Sequence, residues 1–140
     1  MILGPVTAAC IAAAATAYQI PADTMFAIQR VEGGASGVAH HNSNGTYDFG
    51  TFQINSTWLP SLEAYFGFAD LDATRRAVRD DDCTNARAAA AILLFYWREA
   101  GRLDVAVAYY HSHTPPLGRD YFARVNRAQA ALMAREGARR

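Results

Sequence analysis

Apolar residues recur mostly at helical spacing along this chain, with one interruption. Val6–Tyr18 is a run of small and apolar residues that predicts a first helix. Pro21 stands where a first helical turn tolerates proline, and a second helix is expected from there to Glu32, ended by Gly33-Gly34. The pattern then changes. Residues alternate in character over about His40–Asn55, around Asn44-Gly45, a dipeptide that favours tight hairpin turns. Short helices are expected over Leu59–Phe66, stopped by Gly67, and over Ala73–Arg79. The Ala-rich run Asn85–Ala100 is the clearest helix. Its Ala88, Ala91, Ile92 and Phe95 fall at helical spacing, and Gly101 stops it. A helix over Leu103–His111 follows. Pro115-Pro116 is expected to break the chain, and a last helix spans Arg119–Arg135. There is no internal repeat and no low-complexity linker. The class expected is α+β, mostly α, with one small hairpin.

Composition narrows this further. At 140 residues, 51% hydrophobic and 19% charged, the chain fits one domain over residues 1–140 and is no disordered tract. Thirteen basic and thirteen acidic side chains cancel, so no nucleic-acid partner is expected. Arg119, Arg124, Arg127, Arg135, Arg139 and Arg140 concentrate near the end and read as a solvated helix face. No transmembrane segment is expected, and the expected form is a monomer. His40-His41 and His111-x-His113 match no familiar zinc spacing and read as turn and surface residues, so no metal is expected. Phe95, Tyr96 and Trp97 read as core and cleft lining. No phosphate loop and no Ser/His/Asp order stands out, and no cofactor is implied.

The candidate chemistry lies where the helical pattern breaks. Glu32 stands alone in an apolar helical stretch that begins at Met25. A carboxyl at such a helix end keeps its proton more readily, because desolvation disfavours the carboxylate. Cleaving a sugar–sugar bond needs an acid of that kind. Asp48 follows sixteen positions later (48 − 32) on the far arm of the expected hairpin. A helix end facing a small hairpin would make a cleft with one carboxyl on each wall. Asp48 has two readings, a turn-capping residue or a second catalytic carboxylate. Gln53 and Asn55 are two apart and would share a face of an extended segment, where two amides can pair with an acetamido sugar.

These residues carry a resemblance. Glu32-Gly33-Gly34, then Asn44-Gly45 through Asp48-Phe49-Gly50 to Gln53-Ile54-Asn55, then Ala108-Tyr109-Tyr110-His111-Ser112, resemble the lysozyme-like lytic transglycosylases. The chain is most similar to the small peptidoglycan-cutting subunits that accompany secretion and conjugation machines. The resemblance covers roughly residues 10 to 125, and the middle block is its most specific part. The Asp48–Asn55 stretch also resembles animal-type lysozymes, in which the Asp is a second catalytic carboxylate. Two positions depart from the family pattern. Gly33 replaces the usual Ser, which removes one polar contact. Tyr109-Tyr110-His111 stands for the usual Ala-Tyr-Asn, with Tyr109 as the other register for the family Tyr.

The resemblance implies a lysozyme-like fold with a small β-hairpin lobe beside a catalytic cleft. It implies peptidoglycan glycan strands as substrate, cut to leave 1,6-anhydro ends, and components of a secretion or conjugation apparatus as partners. Glu32 would be the catalytic acid. Gln53, Asn55, Tyr110 and His111 would bind substrate, His111 standing in for the family Asn. Two rival readings remain open: a hydrolytic muramidase that uses Asp48 with Glu32, and a non-catalytic peptidoglycan-binding assembly factor. Cys10 and Cys83 are the two cysteines of the chain. Two buried free thiols are one reading; the resemblance implies instead a Cys10–Cys83 disulfide and a periplasmic site. Such a bridge closes a loop of about seventy residues and stabilises by on the order of 4 kcal/mol. On that view Val6–Tyr18 opens the mature domain, an exporting sequence having been removed and Met1 added.

Overall fold

The computed structural model describes residues 3–139. Met1, Ile2 and Arg140 lie outside the described residues, and with them the expectation of an added Met1 and the last arginine of the basic tail. In chain order the elements are α1 (Pro5–Tyr18), α2 (Ala22–Glu32), β1 (Ala39–His41), β2 (Tyr47–Phe49), β3 (Ile54–Asn55), a 3-10 turn (Ser56–Trp58), α3 (Leu59–Phe66), α4 (Leu71–Asp80), α5 (Asp82–Ala100), α6 (Leu103–His111) and α7 (Pro115–Arg139). The chain is therefore mostly helical with one small antiparallel sheet. No helix among the described residues is long and apolar enough to cross a membrane.

Local capping explains where the helices differ from expectation. The Asp70 carboxylate accepts the Ala73 backbone N–H at 2.7 Å, so α4 starts two residues before Ala73. Asp81 accepts the Thr84 N–H at 2.8 Å, so α5 starts at Asp82 rather than Asn85. Pro115 and Pro116 do not break the chain. They form the first turn of α7, where a missing N–H has no helical acceptor to lose.

The sheet also departs from a single hairpin. β1 pairs with β2, and β2 pairs with β3, all antiparallel. The first turn carries Gly45 at φ 87°, with the Asn42 N–H bonded to the Thr46 carbonyl at 2.8 Å. A second tight turn separates β2 from β3, with Gly50 at φ 67° and Gln53 at φ 53°. Gln53 is thus left-handed rather than extended, and the expected shared face of Gln53 and Asn55 does not form.

The chain divides into two compact units. One holds the chain up to Ile11 together with Glu32–Ala89. It contains the sheet, and Ile11, Phe49, Phe52, Ile54, Leu62 and Val78 are buried there. Cys10 and Cys83 are disulfide-bonded in this unit, with Cα atoms 4.6 Å apart across a sequence separation of 73. Reduction would release a loop worth about 4 kcal/mol in chain entropy. The other unit holds Ala12–Val31 and the chain from Ala90 onward. In it α6 and α7 pack closely at Gly118. A Cβ there would stand 2.9 Å from the Ser112 carbonyl and 3.2 Å from the Ala108 Cβ, so only glycine allows this approach.

Candidate functional site

Glu32 is the last residue of α2 and is half-buried. Gly33 follows at φ 64°, the left-handed cap that ends the helix. Gly34 is then pressed onto the second turn of the sheet. A Cβ at Gly34 would stand 2.0 Å from the Gly50 carbonyl oxygen and 2.5 Å from Gln53 Nε2. The position admits no side chain without a shift of the Gly50 backbone. Gln53 Nε2 in turn donates to the Gly50 carbonyl at 2.9 Å. Two motifs far apart in sequence, the acid with its glycines and the Gly50–Gln53 turn, therefore meet within one unit.

Asp48 and Asn55 face each other across β2 and β3. Asn55 Nδ2 donates to Asp48 Oδ1 at 2.9 Å and to Thr46 Oγ1 at 3.1 Å. Its Oδ1 accepts the Thr57 N–H at 3.1 Å and caps the 3-10 turn. Both amide donors of Asn55 are thereby used inside the protein. Thr46 Oγ1 donates to Asn44 Oδ1 at 2.7 Å and also accepts from Asn42 Nδ2. The network runs Asn44, Thr46, Asn55, Asp48. Asp48 is half-buried, and its Oδ2 takes no hydrogen bond among the described residues.

What holds the second turn in place is Asn85, which sequence reasoning placed only as the start of a helix. It is 1% exposed. Its Nδ2 donates to the Phe49 carbonyl at 2.9 Å and the Val78 carbonyl at 2.8 Å. Its Oδ1 accepts from the Phe52 N–H at 2.8 Å and Thr51 Oγ1 at 3.0 Å. Every hydrogen-bonding position of this amide is filled. The same side chain closes the space over Gly50, where a Cβ would come 2.4 Å from Nδ2. Asn85 thus shapes the turn on which Gly34 rests.

Tyr110 and His111 belong to the other unit. The Tyr110 and Tyr121 rings lie 6.4 Å apart and nearly parallel, and His111 stacks on Tyr121 at 4.9 Å. Burial of the imidazole face lowers the His111 pKa from its ordinary value, the Arg124 charge lowers it further, and Asp120 opposes both. Tyr109, the alternative register, turns elsewhere. It stacks on His113 at 4.0 Å, and His113 Nε2 meets Glu99 Oε1 at 2.9 Å. Consecutive helical residues point about 100° apart, which separates the two tyrosines. Of the other histidines, His41 stacks on Tyr47 at 4.7 Å on the exposed side of the sheet. Among the described residues, no group of three or more His, Cys, Asp and Glu side chains gathers as a metal site.

No family model matches the chain, and no curated protein matches it.

Proposed function

We propose that this protein is a lysozyme-like lytic transglycosylase of the periplasm, acting on the glycan strands of peptidoglycan where a secretion or conjugation machine crosses the wall. Glu32 protonates the oxygen that bridges the two sugars, and the bond to the anomeric carbon breaks. The resulting Glu32 carboxylate then takes the proton of the C6 hydroxyl of the muramoyl sugar. The freed oxygen attacks the anomeric carbon and closes a 1,6-anhydro ring. No water is consumed, and the acid is regenerated. In this scheme Gln53 holds a sugar, Asn55 holds the Asp48 carboxylate beside it, and no cofactor takes part.

The observation that supports this reading is the seat of Gly34 against Gly50 and Gln53. It joins the acid-bearing helix end to the turn that carries the candidate sugar-binding amide. The direct test is Glu32→Gln, nearly isosteric but unable to donate an acidic proton. The variant should fold as the wild type and leave no clearing in a peptidoglycan zymogram, a loss of at least roughly 10²-fold. Wild-type clearing by that variant would refute the assignment.

One observation keeps a hydrolytic reading alive. Asn55 fixes one oxygen of Asp48, while Oδ2 takes no hydrogen bond among the described residues. A carboxylate so held could act as a nucleophile or stabilise an oxocarbenium ion, after which water completes the cleavage.

A further inference from the structure

The unit without Glu32 carries a cavity of its own. It lies between α6 and α7, has a volume of about 500 Å³, and is lined mainly by apolar groups. That size suits a small organic ligand. Tyr109 and Phe122 supply half-buried aromatic rings to its wall. The Tyr109 ring is fixed from one side by the stacked His113, which Glu99 holds at 2.9 Å. A ring held this way loses little freedom when a ligand lies against it.

The charges around the cavity are unequal. Asp104 lines it, but its carboxylate is already bonded by Arg102 at 3.0 and 2.9 Å and by the Val105 N–H at 2.9 Å. Arg119 also lines it, is exposed, and has no acidic partner among the described residues. The Ser112 hydroxyl adds a polar group, accepting the Thr114 N–H at 3.0 Å and keeping its own proton to donate. The cavity therefore presents aromatic walls, one hydroxyl donor and one uncommitted cation. A ring bearing a carboxylate satisfies all three.

We infer that the α6–α7 groove is a second ligand site, selective for a saccharide ring that carries a carboxylate, the ring lying on Tyr109 and Phe122 and the carboxylate on Arg119. The choice of a saccharide rests on the proposed action on peptidoglycan, whose muramoyl sugar, once its stem peptide has been removed, bears a free lactyl carboxylate that its neighbour lacks. The groove would then tell one sugar of the strand from the other.

The test titrates the intact protein with N-acetylmuramic acid and with N-acetylglucosamine, read by backbone amide NMR. N-acetylmuramic acid should shift the amides of Tyr109, Ser112 and Arg119 and bind about tenfold more tightly, the size expected of one charge-assisted contact. Arg119→Gln should bring the two sugars to equal affinity, and Arg119→Lys should restore part of the difference. Equal binding by wild type, or shifts confined to other residues, overturns the inference. The titration reads the groove and the zymogram reads Glu32, so either reading can fail while the other stands.

Discussion

Asn85 and Gly50 fit together at the turn that receives Gly34. The Asn85 amide lies where a Gly50 side chain would begin, 2.4 Å from the ideal Cβ position. It also bonds four groups from three segments, at Phe49, Thr51, Phe52 and Val78.

Removing this amide should therefore cost more than an average surface change. Asn85→Ala leaves two carbonyls, a backbone N–H and a hydroxyl buried without their partners. Urea denaturation should show a loss of about 3 kcal/mol or more. Gly50→Ala should destabilise to a similar degree, through the clash and the left-handed backbone at φ 67°. A change under about 0.5 kcal/mol in both variants would contradict the structural role assigned to this pair.

The Cys10–Cys83 bridge makes a second prediction. Replacing both cysteines by serine, or reducing the wild type, should lower unfolding free energy by about 4 kcal/mol. The effect should be read as a lower denaturant midpoint in non-native thiol conditions. Unchanged midpoints with and without reductant would show that the bridge contributes nothing.

These two devices differ in how far the sequence announced them. Helix ends at Gly33, Gly67 and Gly101 were legible, because a glycine after an apolar run is a local signal. The three-stranded sheet was legible only as far as Asn44-Gly45. Its second turn depends on Asn85, which lies 33 residues beyond Phe52 and 36 beyond Phe49. Nothing local marks an asparagine at the head of an Ala-rich helix as the partner of a distant turn. Asp48 and Asn55 stood out as candidate site residues, but their mutual hydrogen bond follows from strand register, which a lone sequence does not fix. Pro115-Pro116 misled for a different reason. Proline breaks a helix interior yet suits a first turn, and only the packing of α7 on α6 decides which applies.

His111 predicts a pH effect on stability. Its folded pKa lies below the ordinary value of 6.5, first through burial and then through Arg124. Between the folded value and about 6.5 the unfolded chain binds more protons than the folded one. Stability should then fall as pH drops through that window and level off below it. His111→Gln should remove this part of the slope, and Arg124→Gln should shrink it. A wild-type slope that survives in His111→Gln would assign the effect to other groups.

In the proposed mechanism Glu32 acts first as acid and then as base on the C6 hydroxyl, with no water consumed. Mass spectrometry of strands cut by the purified protein tests this most directly, because an anhydro end is lighter than a reducing end by one water. The proposed mechanism predicts 1,6-anhydromuramic acid ends from the wild type and from Asp48→Asn, and no cleavage by Glu32→Gln. Reducing ends alone, lost on Asp48→Asn, would contradict it and make Asp48 the second catalytic carboxylate of a hydrolase.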